Sequence, residues 1–287
     1  MSNKYNESLF DSLKEALTNK TSTESSFKDF MKFEPEKTYL VRLLPNLEDA
    51  KKTRFHYFQH IFDSIVTGKK VSVLCPNTYG EKCPIDEHRS KMWATKNQDL
   101  IDQVKPLKKA EKWLYNVYVI KDPTNPSNEG QVKIMNAGAQ LQKIIQSAID
   151  GDDSSEFGFR IFDLSPKGCT LRVKVEKNDG GYPSYVSSKF LSPSEIEGLE
   201  DYDSVYSSIK TLDNIFERKT YDEIKEILDF HFLGKEKNED KSSQKFDEEF
   251  SVETVKNLDV ENTSAKSSSN DELSDQEKKM QEILKDL

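Results

Sequence analysis

The stretch from His60 to His88 gathers residue types that hold transition metals. His60, Cys75 and Cys83 fall within about two dozen residues, with Asp86 and His88 just beyond. Zinc takes four nitrogen, sulfur or carboxylate donors in a tetrahedron. Fourteen residues separate His60 from Cys75 and seven separate Cys75 from Cys83, which matches no standard zinc finger. Two arrangements therefore stand: a structural metal site, or a pair of buried thiols beside a solvent-facing histidine. The fourth ligand is a second open choice. Pro84 favours the first position of a helix through PIDEHRSKMWATK. On that helix Asp86 lies one turn from Cys83, close to the same face, whereas His88 projects well round the axis. Asp86 is better placed, His88 offers the commoner donor, and Asp86 also suits the first helical turn for its charge alone.

A second chemistry lies in KPLKKAEKWLYNVYVIKDP, where Lys105, Lys108, Lys109 and Lys112 interleave with Trp113, Tyr115 and Tyr118. On a strand Trp113 and Tyr115 share one face. Aromatic faces stack on nucleic-acid bases for about 1–3 kcal/mol each, and lysines alongside neutralise phosphates. Tyr182 and Tyr185, in the loop NDGGYPSY, form a second platform of the same kind. The alternative is core tyrosines with a solvated lysine face. The sequence holds no G-x-x-x-x-G-K-[ST] loop, no H-E-x-x-H and no nucleophile–histidine–carboxylate grouping with a known local signature.

These residues need strands and helices to place them. TYLVRLLP reads as a strand stopped by Pro45, VSVL as a short strand leading into Cys75, and EKWLYNVYVIKDP as a long strand ended by the DPTNPSNEG turn cluster. QVKIM, FGFRIFDL and CTLRVKVEK read as further strands, and SSKFLSP follows the GGYPSY loop. GAQLQKIIQSAID, DYDSVYSSIKTL and YDEIKEILDFHF carry helical spacing. Short strands mixed with helices and Gly/Pro turns predict an α+β domain on a small β-barrel.

Composition divides the chain in three. Of 287 residues, 34% are hydrophobic and 32% charged, so part of the chain is expected to stay outside any core. Residues 1–35 carry an amphipathic segment with Leu9, Phe10, Leu13 and Leu17 at helical spacing, which packs on the core or contacts another chain. Residues 36–234 read as the globular core, with the metal-ligand region near 55–95. Residues 235–287 are charged, serine-rich and expected to be disordered, and helical periodicity returns at Met280, Ile283, Leu284 and Leu287. The net charge of −9 conceals an asymmetry: Lys37–Lys121 holds 16 basic against 9 acidic residues, or +7, and Lys235–Leu287 holds 9 against 15, or −6. MSNKYNESLF lacks a basic-then-apolar signal pattern, and no apolar run approaches the roughly 20 residues that span a bilayer. A soluble intracellular protein without a disulfide framework is the expectation.

Several blocks together resemble one family. YLVRLLP, FQHIF around His60, Cys75, the CP at Cys83, WLYNVYVIKDPTNPSNEGQV, LRVKV, YPSYVSSKFL and an acidic terminus ending KDL occur in the order of the single-stranded DNA-binding, helix-destabilising proteins of T-even-like bacteriophages. The similarity spans most of residues 38–192. It implies an OB-fold core with an inserted zinc subdomain, cooperative self-association along single-stranded DNA, and an acidic tail that recruits phage replication and recombination proteins. It places His60, Cys75 and Cys83 on three of four ligands to one structural Zn2+, with Asp86 where the family carries cysteine. Arg42 falls on a basic groove residue, Lys108 and Lys109 lie near a basic pair, Tyr182 and Tyr185 match groove aromatics, and Trp113 matches a groove tyrosine. Leu114 replaces a groove tryptophan and Met135 a groove tyrosine. Of the family's basic N-terminal motif only Lys20-Thr21-Ser22-Thr23 remains.

The expected function is therefore non-enzymatic coating of single-stranded DNA in phage DNA replication, recombination and repair, in the cytoplasm of the infected bacterium. In the free protein the −6 tail is expected to compete for the basic groove. Two other readings stay open: a metal-dependent nucleic-acid enzyme with an open fourth coordination position, and an RNA-binding regulator using the same surface.

Overall fold

One long strand organises the chain. The computed structural model describes residues 28–235. Within them β1 (Thr38–Leu44), β2 (Arg54–Asp63) and β3 (Lys70–Leu74) are followed by α1 (Pro84–Ala94) and α2 (Gln98–Val104). Then come β4 (Lys109–Lys121), β5 (Val132–Ala137) and α3 (Ala139–Asp150). Four short strands follow, β6 (Leu171–Lys174), β7 (Glu176–Lys177), β8 (Pro183–Ser184) and β9 (Lys189–Phe190), then α4 (Tyr202–Ser207) and α5 (Tyr221–His231). The amphipathic segment at Leu9–Leu17, the Lys20–Thr23 stretch and the acidic tail with its apolar terminus all lie outside the described residues.

The main sheet is antiparallel, in the order β3-β2-β4-β1-β6-β9, with β5 also on β4. Lys109–Tyr115 of β4 pairs with β2, Asn116–Lys121 pairs with β1, and Trp113–Tyr118 pairs with β5. Each strand edge serves one neighbour at a time. β2 and β1 therefore lie end to end along one edge of β4, and β5 takes the other. The outer edge of β5 is covered in turn by residues 29–31, through Met31 N–H to Ile134 O at 2.9 Å and Ile134 N–H to Asp29 O at 2.8 Å. A mixed α+β fold on an antiparallel sheet results.

Among the described residues four buried clusters sit on this frame, and two of them position the site. The larger packs Tyr39, Val41 and Leu43 of β1 with Tyr115, Val117 and Val119 of β4 and Leu141 and Ile145 of α3. The smaller joins Phe62, Val73, Cys75, Cys83, Ile85 and Leu107 to Ile224, Ile227 and Leu228 of α5. α5 starts on a capping box, in which the Thr220 hydroxyl meets the Glu223 N–H and the Glu223 carboxylate meets the Thr220 N–H. A helix far along the chain thus closes the lobe that holds the cysteines.

FGFRIFDL alternates like a strand but folds otherwise. Gly158–Phe162 is a 3-10 turn that buries Ile161 and leaves Phe159 79% exposed. The segment that follows is held by Arg42, whose guanidinium is fully buried and donates to Asp163 O at 2.7 Å, Ser165 O at 3.2 Å, Thr170 Oγ1 at 2.9 Å and Ser194 O at 3.0 Å. These carbonyls turn inward to the cation instead of forming a ladder. Gly168 lies so close to Asp163 O and the guanidinium that no Cβ fits there. β2 and α2 are elements the hydrophobic pattern did not signal.

Candidate metal centre and nucleic-acid face

The cysteine lobe brings four donors together. His60 stands near the end of β2, Cys75 directly follows β3, Cys83 is the N-cap of α1, and Asp86 occupies its first turn. The ligand atoms of these four all lie within 4.8 Å of one another. His60 Nε2 is 3.3 Å from Cys83 Sγ and 3.8 Å from Asp86 Oδ1, and Cys75 Sγ is 3.7 Å from Asp86 Oδ2. A tetrahedron with bonds of about 2.0–2.3 Å has edges of roughly 3.3–3.8 Å, which these three separations match, so the donors are close enough together to hold one zinc-sized ion.

Surrounding groups orient each donor. His60 Nδ1 lies 2.8 Å from Leu107 O, and a carbonyl only accepts, so Nδ1 carries the proton and Nε2 turns its lone pair inward. Asp86 Oδ2 accepts from Asn77 Nδ2 at 3.0 Å and Lys109 Nζ at 2.9 Å, which leaves Oδ1 towards His60. The Cys83 thiol is held below the usual thiol range by the hydrogen bond from Cys75, then by His60, and Cys75 is correspondingly pushed up. Cys83 at the start of α1 also meets the backbone N–H groups that favour a thiolate.

His88 leaves the cluster. It lies on the side of α1 that faces α5, its ring edge-on to Phe232 at 6.3 Å, with burial and Lys235 and Lys91 opposing its charged form and Asp229 favouring it. Of the two rivals for the fourth position, Asp86 is the one the fold brings to the other three.

The β2–β4 register carries a second site from the same residues outwards. It sets His60 opposite Lys109, Phe58 opposite Glu111 and His56 opposite Trp113. With a period of two these side chains share one face, leading from the metal cluster into solvent. Lys109 Nζ sits 5.1 Å above the Phe58 ring, a cation–π contact. His56 stacks on Trp113 at 5.1 Å between centroids with 15° between planes, and its Nε2 lies 2.7 Å from Glu111 Oε1. Lys108 is exposed at the entrance to β4.

Other expected contacts fall inside the protein. Arg42 braces the 163–170 segment and cannot face a phosphate as placed, because its guanidinium is fully buried. Lys112 is buried on the opposite face of β4, with Nζ 3.2 Å from Gln59 Oε1. Tyr115 is core, donating its hydroxyl to Gln142 Oε1 at 2.8 Å. Tyr185 packs against Phe33 at 6.1 Å between centroids, while Tyr182 keeps 38% exposure. Leu114 and Met135 are core as well. The shared face of β4 is thus half-open at Trp113 and closed at Tyr115, a distinction that alternation alone cannot make. His56 and Phe58 carry no sequence signal of their own, and only the pairing of β2 with β4 brings them to this face.

Comparison with known proteins gives two kinds of match. The family described as gp32 DNA binding protein like matches residues 36–230. The chain is 29% identical over 168 residues to the single-stranded DNA-binding protein of Enterobacteria phage T4, covering 56% of this chain and 53% of that one. It is 30% identical over 168 residues to the single-stranded DNA-binding protein of Enterobacteria phage T2, with the same coverage. The chain therefore spans about half the length of these relatives.

Proposed function

We propose that this chain, which belongs to the gp32 DNA binding protein like family, binds and coats single-stranded DNA without catalysing a reaction on it. The observation that carries the reading is the open face of the β2–β4 pair, where Trp113, Phe58 and Lys109 share one side and exposed Lys108 adjoins the start of β4. Bases stack on the rings and the lysines meet the phosphates, with little dependence on sequence. Tyr182, exposed on the loop between β7 and β8, supplies a further platform. The curled antiparallel sheet on its larger core is read as an OB-type barrel, with the cysteine lobe as an inserted metal subdomain. His60, Cys75, Cys83 and Asp86 would hold one Zn2+, which contributes folding energy to that lobe. Four protein donors fill a tetrahedron, which is the pattern of a structural site.

The relatives' names, single-stranded DNA-binding proteins of two phages, support the single-strand part of this reading; that the chain acts in phage replication, recombination and repair, in the infected host's cytoplasm, is our further proposal. Self-association along DNA and recruitment of replication proteins through residues 235–287 complete the proposal. The −6 charge of that segment makes it a phosphate mimic for the +7 region.

Titration of a labelled single-stranded oligonucleotide at several salt concentrations tests both parts. Trp113→Ala is expected to weaken binding by about 5- to 100-fold, as loss of one stacking ring does. Equal affinity would remove this face from the binding surface. A chain ending at residue 234 is expected to bind more tightly, with the gain shrinking as salt rises. The same affinity for both lengths across the salt series would refute the tail's competition.

A further inference from the structure

The β2–β4 face holds an arrangement that neither its lysines nor its expected aromatics account for. His56 lies directly across from Trp113, and the two rings run nearly parallel, 15° apart, at 5.1 Å between centroids. Phe58 meets the imidazole edge-on, at 4.9 Å and 66°. The imidazole is also tethered, since Nε2 lies 2.7 Å from Glu111 Oε1 on the neighbouring strand. Its side chain nevertheless keeps 41% of its surface open to solvent. A histidine that merely filled a gap would be covered; this one is held by three neighbours and presented outwards.

We infer that His56 is a further nucleic-acid contact, the outer ring of an imidazole-on-indole stack that serves as a shelf for an unpaired base, with Glu111 setting the angle of that outer ring. The inference rests on the single-strand-binding reading above and deepens it. An isolated Trp113 offers one ring, flanked on β4 by Tyr115, which is buried. His56, stacked on the indole, extends it outwards by one ring across to β2, so a base can stack on the imidazole as the next layer. Pre-setting the imidazole through Glu111 lowers the ordering cost of a ring that would otherwise rotate about its side-chain bonds. The same carboxylate bears a like charge to phosphate, so the shelf selects for the base and holds the backbone towards Lys108 and Lys109.

The full chain tests this with two strands of equal length, oligo-dT and an abasic strand that keeps the phosphates and lacks the bases. His56→Ala is expected to weaken oligo-dT binding by roughly five- to tenfold and to leave abasic binding within about twofold. His56→Phe, which keeps a ring and drops the tether, is expected to recover most of the loss. An equal penalty on both strands would show that the imidazole serves phosphate or the fold, and would overturn the assignment. So would tighter binding by His56→Ala, because His56 would then be occupying the base's place. Trp113→Ala on oligo-dT separates the two levels of the argument: with Trp113→Ala weakened and His56→Ala unchanged, the shelf fails alone, and with both unchanged the face itself fails.

Discussion

The two ends of the β2–β4 ladder use the same backbone and related side chains for opposite purposes. At one end His60 is fully buried, its ring is held by a backbone carbonyl, and its free nitrogen points at two thiols and a carboxylate. Four positions along β2 and on the same face, His56 is open, held by a surface carboxylate and stacked on an indole. The difference is the cover. Cys83, beside His60, packs with Ile85 of α1 and Ile224 of α5 in one buried cluster, whereas the His56 side chain keeps 41% of its surface open. Burial gives one histidine the setting of a candidate ligand, and exposure gives the other on the same face the setting of the proposed contact. Lys109 belongs to both, with its ammonium on Asp86 and above Phe58.

The strongest way to break the comparison is to remove the cover's anchor. Cys83→Ser is expected to abolish stoichiometric zinc in the purified protein and to cost several kcal/mol of stability. Metal binding in small zinc domains is worth at most about 10–16 kcal/mol, and here the lobe also has a packed core. Metal analysis with thermal unfolding in the presence and absence of a chelator reads the effect. Limited proteolysis is expected to cut first between β3 and β4, with the larger core around Tyr39 and Tyr115 persisting. Retention of a full equivalent of zinc by the variant would show that the four donors are not the site.

A smaller effect sharpens the link between the ends. Lys109→Met removes the charge that steadies Asp86 while leaving all four donors, and loss of such an outer contact typically costs 10- to 100-fold in metal affinity. The same change deletes one phosphate partner, so the slope of log affinity against log salt for single-stranded DNA is expected to fall by about 0.7. Competition with a chromophoric chelator and a salt titration measure the two separately. A variant with weakened DNA binding and unaltered metal affinity would mean that Asn77 alone orients Asp86.

How far the sequence disclosed each end follows from what each depends on. The metal cluster depends on uncommon residue types at a strand end and a helix start, and these are visible without knowing any pairing. Even the choice between Asp86 and His88 follows from helix geometry, since the residue one turn from Cys83 returns to it and the residue five positions on faces α5. The open face depends on register. Trp113 stands in the sequence as an aromatic among lysines, but Tyr115 and Lys112 are equivalent to it there, and only packing of α3 on one side and Gln59 on the other buries them. His56 had no signal of its own, because β2 reads RFHYFQHIFD with aromatics on both faces and no clean alternation. Arg42 misled for a related reason: one arginine in an apolar strand looks like a surface cation, and its buried role rests on carbonyls more than 120 residues away. The same long-range contacts hold the segment that follows the turn in FGFRIFDL.

Glu111 gives the smallest effect and the finest test of the comparison. At the buried end a carboxylate completes a donor set, while at the open end it tethers a ring yet opposes the ligand's charge. Glu111→Gln separates these two actions, because the amide oxygen still accepts from the His56 ring while the negative charge is gone. Exposed charge interactions are worth about 0.2–1 kcal/mol, so single-stranded DNA should bind roughly 1.5- to 5-fold more tightly at low salt. The gain should vanish near 1 M salt, where the Debye length is about 3 Å. Tighter binding that persists at high salt would mean the carboxylate acts by holding His56 in an unfavourable pose, and weaker binding would mean its tether outweighs its charge. Only the salt-sensitive gain agrees with an imidazole whose position is right and whose partner carries the wrong sign for phosphate.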